Sequence, residues 1–163
     1  MARTRVKLNQ LVDWNAALWA GILSGLVSFL AGILISWIVL DIPWFFPRLV
    51  ASLIMGDGVL PPPASFDFSV VFLALLIHLV LAVAYAGIIA MLVHEYGIII
   101  SFIGGALFGL AIYLINFYTV SYFFPWFYQY RGWIFIIAHL VYGALAGSLY
   151  ELMEVEKYVP VKE

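Results

Sequence analysis

Hydrophobic positions fall along this chain in four long runs separated by short polar or aromatic stretches. The runs cover about 14–40, 68–93, 98–118 and 133–152. Each has the roughly 20 apolar residues a helix needs to satisfy its own backbone across a bilayer. None alternates polar and apolar positions as a transmembrane barrel strand does. The pattern therefore predicts an all-α membrane protein with four transmembrane helices, forming a single integral membrane domain over 1–163. The first run is too long for a signal-peptide core and is read as a retained span.

The breaks between runs predict the connections. His94, Glu95, Tyr96 and Gly97 form a tight turn, so the second and third spans make an antiparallel hairpin. The first long loop, about Asp41 to Asp67, holds Pro47, Gly56 and an apolar stretch from Arg48 to Met55 between them. Pro suits a first helical turn and Gly a C-terminal end, which predicts a short interfacial helix. Pro61, Pro62 and Pro63 then force an extended stretch. The second long loop, Ser121 to Gly132, is rich in Tyr, Phe and Trp. It reads as an aromatic belt at the headgroup level, with a docking surface for a partner subunit as the alternative.

Two halves of the pattern match. Gly21, Leu23, Gly25, Leu26 and Leu30 align with Gly105, Leu107, Gly109, Leu110 and Leu114. Phe45-Phe46-Pro47 then pairs with Phe123-Phe124-Pro125, and His78-Leu79-Val80 with His139-Leu140-Val141. The order of the matches is preserved. This predicts two duplicated helical hairpins in parallel orientation.

Charge adds topology. Arg3, Arg5 and Lys7 precede the first run, and Lys157 and Lys162 follow the last, while only Arg48 and Arg131 lie in the long loops. With four spans, the positive-inside rule puts both termini in the cytoplasm, as in a bacterial inner membrane. Composition fits the membrane class: 66% of residues are hydrophobic, 10% are charged and the formal net charge is −2. Mean hydropathy is +1.12. The chain has no cysteine, which excludes disulfides, thiolate metal sites and cysteine nucleophiles. No basic run points to nucleic acid. The expected partners are the lipid bilayer and either other membrane subunits or further copies of the chain.

Small residues recur every fourth position on each span, and that spacing stacks them on nearly one helix face. Ser24, Ser28, Gly32 and Ser36, beside Gly21 and Gly25, mark the first span, Ala82 and Ala86 the second, Gly105 and Gly109 the third, and Gly143 and Gly147 the fourth. Such stripes predict close helix packing. A pore lined by small residues would require oligomers.

His78 and His139 continue two of these stripes. Ionisable groups inside a span call for a specific role. They lie ten and six residues into their spans, about 6 Å apart in depth. Asn116, Tyr113 and Tyr142 fall nearby and complete a polar intramembrane cluster. Three roles suit the pair. One is interhelical hydrogen bonding, another a proton or ion path, and the third a haem or metal site with one imidazole from each helix. No carboxylate lies beside the histidines within the spans to complete a metal set, so no cofactor is predicted. Glu151, Glu154 and Glu156 read as a solvated helix end. Nucleophile elbows, phosphate loops and dinucleotide fingerprints are absent from the sequence, which points away from catalysis.

Several segments carry a resemblance: Gly58 to Pro63, Leu114 to Tyr118, Phe124 to Phe127, and His139-Leu140-Val141. On these the chain resembles a group of small, uncharacterised bacterial four-helix inner-membrane proteins, some of which carry the label sodium:proline symporter. The chain departs from true symporters, which have many more spans and helices broken around the substrate. The expected function is that of a non-catalytic accessory or structural subunit of a larger membrane complex. The alternatives are a small oligomeric transporter or channel, and a redox subunit holding haem or metal at His78 and His139.

Overall fold

The computed structural model describes residues 8–60 and 62–160. Arg3, Arg5, Lys7, Pro61 and Lys162, used above for charge and turns, lie outside the described residues. The described residues are all-α apart from one terminal ribbon. Helices α1 (Trp14–Leu40), α3 (Phe68–Val93) and α6 (Trp133–Met153) are continuous, and α4 (Ile98–Leu114) runs on through a π-helical segment, Ile115–Thr119, into α5 (Val120–Phe123). Among the described residues, four helices are thus long and apolar enough to cross a membrane, the third being Ile98–Phe123. The third span is longer than the apolar run suggested, because a π turn keeps the backbone helical past Tyr118.

Two spans begin at side-chain caps. The Asp13 carboxylate accepts from the Asn15 and Ala16 amides at 3.0 and 3.2 Å. Asp67 accepts from Ser69 and Val70 at 2.9 and 3.3 Å. Each cap satisfies amides that the first helical turn leaves free.

The short helix α2 (Phe45–Met55) forms as its Pro and Gly predict, with Gly56 following at φ 79°, a conformation that favours glycine. It is anchored to the bundle. Leu49, Ala51 and Ser52 are buried, while Ile54 and Met55 are exposed. The second long loop is not an open belt. Pro125–Tyr130 forms 3-10 turns, and Trp126 Nε1 donates to Ser52 Oγ at 2.9 Å, tying this loop to α2. Tyr122, Phe123, Tyr128 and Trp133 remain exposed, whereas Phe127 is buried.

The hairpins pack alike. A Cβ on Gly21 would come within 2.6 Å of Val83 Cα and 3.1 Å of Ala86 Cβ, and one on Gly25 within 2.8 Å of Ala82 Cβ. In the second hairpin, a Cβ on Gly105 would strike the Gly143 carbonyl and approach Gly147, and one on Gly109 would strike the His139 carbonyl and approach Gly143. The alignment that equates Gly21 with Gly105 and His78 with His139 equates Ala82 with Gly143 and Ala86 with Gly147. Matched positions therefore make matched contacts. Gly32 differs. Its neighbour is the Phe46 ring of α2, not another span.

At the end opposite α2, Ala16, Ala20, Ala86, Ala90, Ala146 and Tyr150 form a closed core. Below it lies an element the sequence did not suggest. Strand β1 (Leu8–Leu11) pairs antiparallel with β2 (Lys157–Pro160), Leu8 opposite Pro160 and Leu11 opposite Lys157. The chain segments before α1 and after α6 thus meet at one end of the bundle.

Candidate functional site: a polar cluster in an apolar cavity

Between the hairpins, on the α2 side of the closed core, lies a cavity of about 280 Å³. Ser28, His78, Tyr85, Asn116, His139 and Tyr142 all line it, among apolar residues that include Phe46, Leu49, Ile112 and Phe117. The two histidines therefore face one space. Helix α2 covers its end through Phe46, Leu49, Val50 and Leu53. On the α1 and α6 side the lining includes Val27, Ile137 and Val141, which are 53, 49 and 57% exposed.

His139 Nδ1 lies 2.8 Å from the Phe135 carbonyl. A carbonyl only accepts, so Nδ1 carries the proton and Nε2 offers a lone pair. Asn116 Nδ2 donates to that Nε2 at 3.3 Å. Asn116 Oδ1 in turn accepts from the Tyr85 hydroxyl at 3.3 Å. One directed chain of hydrogen bonds thus crosses α3, the π segment and α6.

His78 is held differently. Its Nε2 lies 3.1 Å from the Gly25 carbonyl and 3.0 Å from Ser28 Oγ. Proximity to a carbonyl places the proton on Nε2, and Ser28 donates its own proton to Gly25 at 3.1 Å. Nδ1 of His78 is then an acceptor, and among the described residues no hydrogen bond reaches it. No buried side-chain nitrogen or oxygen there lacks a partner, so this Nδ1 borders open space. Aromatic rings flank both imidazoles, three of them edge-on and Phe29 tilted at 59°. Phe29 and Phe46 lie 5.4 and 5.8 Å from His78 between centroids, and Tyr113 and Phe117 lie 5.8 and 5.9 Å from His139. Phe29 and Tyr113 are equivalent in the duplicated hairpins.

The π segment positions Asn116. At its far end Arg131 lies between the Tyr118 and Tyr128 rings, 3.9 and 3.8 Å from their centroids. Its Nε donates to the Phe117 carbonyl at 2.6 Å and its Nη2 to Ser121 Oγ at 3.0 Å. A charged clamp with two ring faces thus secures the turn that carries Asn116. Interruptions of this type recur at functional sites.

The expected cluster is only partly one network. Tyr142 lines the cavity, but its hydroxyl donates to the Ala82 carbonyl at 2.6 Å, joining α6 to α3. Tyr113 is buried beside His139 and supplies a ring wall. Tyr85 was missed. It lies seven residues after His78, spacing that puts both on one helix face. The leading packing glycines and alanines all sit at hairpin seams except Gly32. Glu151 is not simply solvated, since it accepts from the buried Ser101 hydroxyl at 3.1 Å.

Chemically, the cluster is a set of neutral hydrogen-bonding groups in an apolar wall. Among the described residues no three metal-ligating side chains come together. The lone pair of His139 Nε2 is already engaged, so a metal or haem held by both histidines would first have to displace Asn116. Comparison with protein-family models, with curated proteins and with solved structures finds no match to this chain.

Proposed function

We propose that this chain is a non-catalytic integral membrane protein that binds a small lipid-soluble molecule between its hairpins. Its place is that of an accessory subunit in a larger assembly of a bacterial inner membrane, with both termini cytoplasmic. One observation carries the reading. A single apolar cavity gathers both intramembrane histidines, Asn116 and Tyr85, none of them charged in the hydrogen-bonding pattern described. Apolar cavities with a few converging polar groups are the usual form of a small-molecule site, and polar side chains within spans are costly unless they have work to do.

The half-exposed Val27, Ile137 and Val141 favour a ligand that arrives from the bilayer. Permeation is less well supported. Beyond Tyr142 the helices close on Ala20, Ala86, Ala146 and Tyr150, which are 0, 1, 0 and 0% exposed. A path across the chain would need these helices to part.

Native mass spectrometry of protein released from bilayer discs tests the binding reading. The expected spectrum shows the chain carrying one small apolar molecule, alone or with co-purifying subunits. A chain that carries no added mass and takes up no apolar compound would overturn it.

A further inference from the structure

We infer that the cavity selects a ligand bearing a neutral hydroxyl group, an alcohol or phenol dissolved in the membrane. The inference rests on the reading that the cavity binds a lipid-soluble molecule, and it follows from which hydrogen-bonding positions remain free. His78 Nδ1 is an acceptor with no partner among the described residues, because Nε2 holds the ring proton against the Gly25 carbonyl. Asn116 uses one amide N–H for His139 and keeps the other. The Tyr85 oxygen gives its proton to Asn116 and keeps its lone pairs. The Tyr142 oxygen likewise gives its proton to Ala82, so the lining offers acceptors on α3 and α6 and one donor on the π segment.

A hydroxyl matches this set. It donates to His78 Nδ1 and accepts from Asn116. An ether or ketone only accepts, so His78 Nδ1 would go unanswered in an apolar wall. Leaving such groups unpaired is what gives a polar site its selectivity. A carboxylate is disfavoured further, because the lining contains no cation to meet it. The rest of the ligand meets rings and aliphatic side chains, including Phe46, Leu49, Ile112 and Phe117.

The test uses the full chain, labelled with nitrogen-15 at its histidines and carbon-13 at valine and isoleucine methyls, in bicelles. Three probes of one shape are compared: para-hexylphenol, its methyl ether para-hexylanisole, and hexylbenzene. The phenol alone should move the His78 Nδ1 resonance upfield, with His94 as the unaffected control. Its affinity should exceed that of the ether by about two- to tenfold, the usual worth of one hydrogen bond. His78→Phe should abolish that preference and still admit hexylbenzene. If all three probes shift the Val27, Ile137 and Val141 methyls equally and leave Nδ1 unmoved, the hydroxyl inference falls and the binding reading stands. If none shifts those methyls, the binding reading falls with it.

Discussion

Asn116 and His139 meet at 3.3 Å across the seam between the third and fourth spans, the amide donating to the imidazole lone pair. The contact fixes a tautomer. With Nδ1–H committed to Phe135, Nε2 has only its lone pair to offer, and Asn116 is the side chain that answers it. Replacing either partner by Leu leaves the other beside the cavity with an unmet group. Interhelical hydrogen bonds of this type contribute about 0.6–1.7 kcal/mol in membrane bundles. A double-mutant cycle of Asn116→Leu and His139→Leu, read by unfolding from bicelles, should return a coupling in that range. Additive single effects would mean that the pair is close but not bonded.

The seam around this pair depends on glycine for a separate reason. A Cβ at Gly109 would occupy the position of the His139 carbonyl, and one at Gly143 that of the Gly105 carbonyl. Backbone cannot move aside as a flexible side chain does. Gly109→Ala or Gly143→Ala should therefore force the helices apart and destabilise by about 1–3 kcal/mol. Gly87 is the control. A Cβ there meets only Trp14 Cζ3, at 3.7 Å, and alanine is the better helix former by about 1 kcal/mol. Gly87→Ala should thus be neutral or stabilising in the same unfolding measurement. Equal losses at all three positions would contradict a packed backbone seam.

These glycines were legible because four-residue spacing reports directly on one helix face. The spans were legible because hydrocarbon demands long apolar runs, and α2 because Pro47 and Gly56 act on their own backbone. What stayed hidden depends on contacts distant in sequence. Nothing between Ile115 and Thr119 marks a π segment. It is secured from outside by Arg131, whose guanidinium reaches back to the Phe117 carbonyl. Gly32 shares its helix stripe with Gly21 and Gly25, yet it meets Phe46, because α2 folds over the mouth of the bundle. Tyr85 reads as one more apolar-run aromatic until Asn116 is placed opposite its hydroxyl. The β1–β2 ribbon joins residues almost a full chain length apart, which no local pattern encodes.

Apart from a 3.5 Å contact from Gln10 Nε2 to the Glu154 carboxylate, Asp13 ties that ribbon to the bundle, and the ribbon's stability should depend on acid. Besides capping α1, Asp13 accepts from the Val155 amide through Oδ2 at 3.1 Å, linking the start of the first span to the chain leaving the last. The Tyr150 hydroxyl accepts from the Asp13 amide at 3.2 Å. The Val155 amide, followed by that of Ala16, holds the Asp13 carboxyl below its ordinary value of 3.8. A depressed carboxyl favours the folded state fully above the unfolded value, and the contribution disappears as pH falls through the lower folded one. Its neighbour Glu154 acts in the opposite sense. Burial raises its carboxyl above 4.5, so its effect on stability weakens with rising pH from about that value upward. Hydrogen exchange of the ribbon amides should therefore speed up below about pH 3.8 in the wild type. In Asp13→Ala that acid-dependent step should vanish, and the ribbon end of α1 should open more readily at neutral pH by about 1 kcal/mol, the usual loss at an N-cap. Glu154→Gln should keep the acid step. An Asp13→Ala chain whose ribbon exchanges as the wild type does at both pH values would show that the carboxylate does not hold the two ends together.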